Sequence, residues 1–288
     1  MSSNSKTKTI LWIIIVTLVL LAIAGAVIYA TGYRYIRTDY TRFSGWVKDG
    51  IPTSGSIRYT DGTKGKLFID EETGAPIIEY STGDVYEGEL LGVVRNGKGK
   101  ITYSNGDVYE GDFVNDERTG SAVITFADGS SYVGDIAGGV PNGVGKFTFS
   151  DGEWYYGQYI NGAKEGVGEY HYADGAYYYG SFKNDMRHGT EIVSVNLYDG
   201  SIYTGECKQY FSTGNYYVGD FKDDARTGYG TFNWTSGESY TGMFENGIFN
   251  GEGSYTFSTG EVYTGTFENG KVPEAPAEET ESEAGVTE

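Results

Sequence analysis

Two histidines, one cysteine and a scatter of carboxylates are the residues that could do chemistry in this 288-residue chain. His171 or His188 could serve as a general base, and Cys207 as a nucleophile if one of them lay beside it. His171 stands in "EYHYADG", between two tyrosines of an expected strand, where neighbouring segments carry Thr102 and Thr148. His188 falls in a turn next to Arg187. Nothing in the spacing joins either histidine to Cys207 or to a serine, so both read as strand and loop residues. Asp107, Asp151, Asp174, Asp199, Glu238 and Glu261 recur at or beside matching turns. Rows of acids at matched offsets can hold Ca²⁺ in repeat folds. Here the turns vary among Asn, Asp, Thr and Ser, which spoils a repeated ligand set, so the acids read as solvated turn residues. There is no P-loop, no Cys-x-x-Cys and no dinucleotide fingerprint. "NWT" at Asn233 to Thr235 matches a glycosylation sequon, but it falls on an expected strand and is read as accidental. The sequence therefore points to no catalytic residues, no cofactor and no metal.

The composition agrees with a building role. Gly contributes 45 residues and Tyr 27, against only 5 Pro. The glycines are thus not part of a collagen-like or Pro-rich bias. Aromatics at 16% supply ring surface to bury, which argues against disorder. A net charge of −19 is the opposite of the basic stripe that nucleic acid requires. It also repels anionic lipid. One cysteine excludes an intramolecular disulfide framework and leaves the compartment open.

The N-terminus is membrane-directed. Residues 1–9 are a short polar tail, and "ILWIIIVTLVLLAIAGAVIYA" then runs uncharged from Ile10 to Ala30. About 20 residues cross the hydrocarbon core as a helix. Lys6 and Lys8 precede the run; Tyr29, Tyr33, Tyr35, Arg34 and Arg37 follow it as interfacial anchors. A cleaved signal peptide is the alternative, but the run exceeds the usual h-region. The bilayer is thus an expected partner through residues 10–30, in a single pass. Counting Arg and Lys on the two sides slightly favours a cytoplasmic C-terminal part, whereas a span so near Met1 inserts as a signal anchor with its tail inside. The second consideration is preferred, and it places the rest of the chain outside the cytoplasm. Ala22, Ala26 and Ala30 form a small-residue stripe through which a homodimer could pack.

The remainder repeats. Tyr-x-Gly occurs at Tyr86 and Gly88, Tyr109 and Gly111, Tyr132 and Gly134, Tyr155 and Gly157, and Tyr178 and Gly180, in steps of 23 residues. The same step returns at Tyr217 and Gly219, Tyr240 and Gly242, and Tyr263 and Gly265. Gly97 and Gly99 make a mid-unit Gly-x-Gly, followed by Tyr103 and Gly106; four further units hold the same landmarks. At the start, Thr63, Gly65, Gly74, Tyr80 and Gly83 keep most of the frame, and Phe43 and Gly45 open a shorter unit; these read as capping units. Between Tyr178 and Tyr217 the rhythm breaks: Tyr203 comes 25 residues after Tyr178, and Tyr217 comes 14 later. The shortfall matches the mid-unit loop, so a unit there is read as having lost it.

This pattern resembles the MORN (membrane occupation and recognition nexus) repeat. "YEGELLGVVRNGKGKITYSNGD" at 86–107 and "YTGMFENGIFNGEGSYTFSTGE" at 240–261 carry the likeness, which extends over roughly residues 43–270. The resemblance implies a β-hairpin array and a role in tethering and assembly. MORN proteins elsewhere hold membranes, cytoskeleton or enzymes in place, and lipid binding has been proposed for some.

The residues support the same fold independently. "KGKITY" and "DVYEGDF" are short, rich in β-branched and aromatic residues, and bounded by turn signals. Asn-Gly and Asp-Gly between such runs predict two-residue hairpins with φ positive at both central positions. Tyr109, Gly111 and Phe113 share a face, and a ring from a neighbouring unit is expected over the gap at Gly111. The expected fold is all-β, an elongated antiparallel β-hairpin array preceded by one transmembrane α-helix. About ten units at ~4.8 Å per strand would extend roughly 90–100 Å. The expected organisation is a connector at 31–42, the array at 43–270 with an irregularity at 190–216, and a disordered acidic tail at 271–288. The expected function is a non-enzymatic, membrane-tethered scaffold for an unidentified protein partner. The alternatives are a glycan, cell-wall or lipid-binding module, which would need solvent-facing tyrosines, and a regulatory subunit of a separate enzyme.

Overall fold

The computed structural model describes residues 3–190 and 192–272, with side chains from residue 10 onward. The expected acidic tail lies, from residue 273, outside the described residues. The first helix, α1 (Ser3–Ala30), takes in most of the polar tail at 3–9 and then the uncharged apolar run Ile10–Ala30. It stops where Gly32 takes φ 90°, a left-handed conformation that glycine adopts without Cβ strain. The Arg34 guanidinium caps the helix end, donating to the Tyr29 carbonyl at 2.7 Å and lying over the Tyr29 ring.

Among the described residues, the regular structure after α1 is all β, and the chain forms two compact units divided at Gly139/Val140. The first is a meander of antiparallel strands: β1 (Tyr33–Arg37), β2 (Thr41–Lys48), β3 (Ile51–Tyr59), β4 (Lys64–Ile69), β5 (Pro76–Tyr80), β6 (Val85–Leu91), β7 (Val94–Thr102), β8 (Val108–Val114), β9 (Glu117–Thr125) and β10 (Ser131–Ala137). Residues 31–42, expected as a connector, contain β1, which pairs along β2 from Tyr33↔Trp46 to Arg37↔Arg42. The second unit holds β11 (Val140–Thr148), β12 (Trp154–Ile160), β13 (Ala163–His171), β14 (Tyr177–Lys183), β15 (Met186–Arg187), β16 (Val193–Asn196), β17 (Ile202–Gly205), β18 (Lys208–Tyr210), β19 (Tyr216–Lys222), β20 (Ala225–Asn233), β21 (Ser239–Glu245), β22 (Ile248–Thr256) and β23 (Val262–Phe267).

Turn chemistry differs from the expectation. At Asn105-Gly106 only the glycine has positive φ, 97°. Gly106 N–H donates to the Tyr103 carbonyl at 2.9 Å, and Tyr103 N–H to the Asp107 carbonyl at 2.8 Å. This is a three-residue loop, a type I turn closed by a left-handed glycine. Primed two-residue turns lie at the other ends of the strands: the expected Asn-Gly form occurs at Asn161-Gly162, φ 50° and 87°, and Asn246-Gly247, 51° and 85°, while Asn115 and Asp116 reach 51° and 70° without a glycine. Asn and Asp tolerate that region because their short polar side chains bond locally.

The irregularity at 190–216 is a gain of chain, not a loss. Tyr178 to Tyr217 spans 39 residues, 16 more than the repeat step. The strand after β14 starts as β15, continues through a bridge at Gly189↔Phe221, and resumes as β18 beside β14 and β19. Between these pieces the chain leaves the ladder and folds as the separate hairpin β16–β17. Its Tyr203-x-Gly205 imitates a repeat and even bonds like one, the Tyr203 hydroxyl donating to the Glu206 carbonyl at 2.6 Å.

Candidate interaction surface

The repeat signature lies inside the fold. Tyr86, Tyr109, Tyr132, Tyr155, Tyr178, Tyr217 and Tyr240 are all 0% exposed; Tyr263, on the last strand, is 38% exposed. Each buried ring lies along its own strand rather than under a neighbour's. The Tyr86 hydroxyl reaches across Gly88 and donates to the Glu89 carbonyl at 2.6 Å, and Tyr109 does the same to Asp112 at 2.9 Å. A Cβ on Gly99 would sit 2.5 Å from the Tyr86 ring, which is why glycine faces glycine at Gly88↔Gly99 and Gly99↔Gly111. The expected ring over Gly111 is therefore that of Tyr109 itself. Phenylalanines bridge successive rings edge-on: Phe113 contacts both Tyr86 and Tyr109, and Phe182, Phe221, Phe244 and Phe267 continue the series from Tyr155 to Tyr263. Such edge-to-face pairs add about 0.5–1.5 kcal/mol each beyond area burial. Burial pushes the Tyr109 hydroxyl up to about 12, and it raises Tyr86, Tyr132, Tyr155, Tyr178, Tyr217 and Tyr240 as well. With these rings enclosed, sugar stacking on the signature tyrosines has no surface to use.

The residues first weighed for chemistry are dispersed. Cys207 is buried and occupies the glycine place opposite Gly219, against Gly180 and Gly189. His188 Nδ1 lies 3.4 Å from Asp223 Oδ1. The turn acids cap backbone. Asp107 accepts the Ala127 N–H at 2.9 Å, Asp174 the Ala176 N–H at 2.9 Å, and Asp199 the Ser201 N–H at 2.8 Å. Among the described residues, no group of three His, Cys, Asp or Glu side chains could hold a metal ion.

The opposite, open face of the second unit carries a feature the fold does not need. Register places Trp154, His171, Tyr177, Tyr210 and Tyr216 side by side across β12, β13, β14, β18 and β19. The Trp154 and His171 rings stack at 3.8 Å and 9°. His171 to Tyr177 is 5.4 Å, Tyr177 to Tyr210 is 4.3 Å and Tyr210 to Tyr216 is 5.6 Å. All five side chains are half-buried. The adjacent row runs Lys146, Tyr156, Glu169, Tyr179 and Lys208. The β16–β17 hairpin docks beside these rows. Tyr198 meets Trp154 at 5.8 Å and Tyr156 at 5.4 Å, and Tyr203 meets Tyr179 at 5.4 Å. The Lys146 ammonium lies 3.6 Å from the Tyr198 ring centre and 4.2 Å from that of Trp154. Glu169, 3% exposed, accepts the Tyr198 backbone N–H and faces His171 Nε2 at 3.0 Å. A buried carboxylate so partnered fixes where the hairpin sits.

Trp154 stacks face to face on His171, and the rings from Tyr177 to Tyr216 follow at tilts of 32° and 36°. Flat ring faces for sugar stacking are largely used by their neighbours. What remains outward is a half-exposed ridge, extended by Ile192, Tyr198 and Ile202 of the hairpin at 73%, 58% and 65% exposure. Core interface positions enriched in aromatics with few charges characterise protein-binding patches. Elsewhere the equivalent rows are plain: Glu87, Lys100 and Glu110 in the first unit, and Thr231, Thr241, Ser254 and Thr264 beyond β19. The sequence signal lies at the positions flanking the leading tyrosine, where "EWYYG", "AYYYG" and "NYYVG" replace "DVYEG" and "EVYTG".

Against known proteins, the MORN repeat family model matches residues 86–108, 109–131, 132–154, 155–177, 178–190, 217–239 and 240–262, over half of the chain. The fifth match stops where the inserted hairpin begins. No curated protein matches the chain. Among solved structures, the TCP domain of Drosophila melanogaster SAS-4 (dCPAP), in complex with a proline-rich motif of Ana2 (dSTIL), aligns at 20% identity over 60% of this chain and 89% of that one, TM-score 0.31. The wild-type TCP10 domain of Danio rerio CPAP aligns at 12% identity over 81% and 100%, TM-score 0.32.

Proposed function

We propose that this chain, which belongs to the MORN repeat family, is a non-enzymatic protein-interaction scaffold whose binding surface is the aromatic open face of the second unit. One observation carries the reading. Five rings stand in register and half-exposed on β12, β13, β14, β18 and β19, at positions where other repeats place Val, Ser, Thr or Asn. The signature tyrosines already supply the core, so these additional rings are free for recognition. Cross-linking with mass spectrometry in the native membrane tests it. Partner cross-links should centre on Lys146 and Lys208 and vanish in Tyr177→Ser/Tyr210→Ser. A partner mapped elsewhere, or one indifferent to that variant, overturns it.

The scaffold is held at a membrane by α1 in this proposal. Ile10–Ala30 has mean hydropathy 3.0 and no burial within the fold, and at 1.5 Å per residue it is long enough to span. Retention in the membrane pellet after alkaline carbonate, with an intact N-terminus by mass, supports an anchor; a mature protein starting after Ala26 refutes it. The β units are proposed to face away from the cytoplasm, so protease added to intact cells should remove them.

A further inference from the structure

The last strand ends the second unit with an unusual edge. Among the described residues, β23 pairs only with β22. Its Tyr263 is 38% exposed and Val262 61%, whereas the seven preceding repeat tyrosines are sealed. Tyr240 has Phe244, Phe249 and Phe267 around it; among the described residues Tyr263 has Phe267 alone, at 5.5 Å. An exposed edge of this kind is a template for another strand.

The strand is also a near-palindrome. Tyr263-Thr264-Gly265-Thr266-Phe267 reads as aromatic, Thr, Gly, Thr, aromatic in both directions. From β19 to the last strand the sheet pairs glycine with glycine, at Gly219↔Gly230, Gly230↔Gly242, Gly242↔Gly253 and Gly253↔Gly265. We propose that β23 pairs antiparallel with β23 of a second copy of this chain, about a two-fold axis at Gly265. That register continues the glycine row by one step. It sets Tyr263 opposite Phe267 of the second copy and Thr264 opposite its Thr266, so each open tyrosine gains the aromatic neighbour it lacks. The acids fit too. Glu261 falls opposite Asn269 and Glu268 opposite Val262, so no carboxylate faces a carboxylate in a chain of net charge −19. An isologous pairing closes after two copies and leaves no growing end.

The test is the mass of the full-length chain in nanodiscs by light scattering. The wild type should give twice the 31.4 kDa chain mass. Thr264→Lys/Thr266→Lys sets lysine against lysine across the axis and should halve it. Thr264→Lys/Thr266→Glu restores opposite charges in the same register and should return the dimer. Both sites are solvent-exposed, and an unchanged melting curve confirms folding. As an independent reading, a nitroxide on Thr264→Cys should broaden strongly, because diagonal positions across such a pair lie about 7–8 Å apart; Cys207 is buried and does not compete. Four results overturn the proposal: a monomeric wild type, a dimer indifferent to the lysine pair, a dimer lost in Ala26→Leu alone, or a dimer that forms only after residues 273–288 are removed.

Discussion

Raising the pH should unfold the array in a single step, and the buried tyrosines set where. Tyrosine in an unfolded chain ionises near pH 10, while burial pushes Tyr109 up to about 12 and the six other fully buried repeat tyrosines upward as well. The folded state therefore binds more protons than the unfolded state once the pH passes about 10. Stability is fully present below that value and is lost as the pH climbs toward the folded pKa. At pH 11 a tyrosine displaced by two units loses about 1.4 kcal/mol of its contribution. Tyr86, Tyr109, Tyr132, Tyr155, Tyr178 and Tyr217, all raised at least this far, together lose about 8 kcal/mol, which is comparable with the whole 5–15 kcal/mol that holds a typical domain. The transition should fall near pH 11. The assay follows tyrosinate absorbance and β-sheet circular dichroism on the full chain through the same titration. The account predicts that a block of the 27 tyrosines stays un-ionised until the dichroism collapses, then ionises with it. If absorbance reaches its full value while the sheet signal is intact, the rings are reachable by hydroxide and the reasoning fails.

Three further outcomes follow from the packing. Gly99→Ala places a Cβ 2.5 Å from the Tyr86 ring; urea denaturation should show about 1–3 kcal/mol lost, as for other overpacked sites. Tyr86→Phe removes only the hydroxyl that donates to the Glu89 carbonyl, and the same assay should show about 1 kcal/mol lost. Deleting residues 191–206 restores the 23-residue step and joins β15 to β18; the melting curve should remain cooperative, while Trp154 fluorescence shifts red as Tyr198 leaves its ring.

Much of the architecture was legible because the signature is a steric contract. A tyrosine that must lie across a glycine pair and reach the carbonyl three residues on tolerates no other arrangement, so Tyr-x-Gly at a fixed step already specifies paired strands. Turn identity was less legible. Asn-Gly does make a primed turn at Asn161-Gly162 and Asn246-Gly247, but the same dipeptide at Asn105-Gly106 closes a three-residue loop, and Asn115-Asp116 and Asp223-Asp224 make primed turns with no glycine at all. The insertion is disguised in a similar way: Tyr203-x-Gly205 satisfies the local rule and bonds as a repeat does, so by spacing alone an extra hairpin looks like a shortened unit. The open face was hidden in plain composition. Trp154, Tyr156, Tyr177 and Tyr179 flank signature tyrosines and look like more of the same. Only strand alternation separates the inward ring of Tyr155 from the outward rings on either side.

The account stands or falls on which tyrosines the folded chain displays. Nitration footprinting of the full-length protein, purified and in its native membrane, read by mass spectrometry, addresses this directly. The prediction is that Tyr86, Tyr109, Tyr132, Tyr155, Tyr178, Tyr217 and Tyr240 stay unmodified in both states, while Tyr198 and Tyr210 react when purified and become shielded in the membrane. Modification of the seven in folded protein, or equal reactivity of Tyr198 and Tyr210 in both settings, would contradict it.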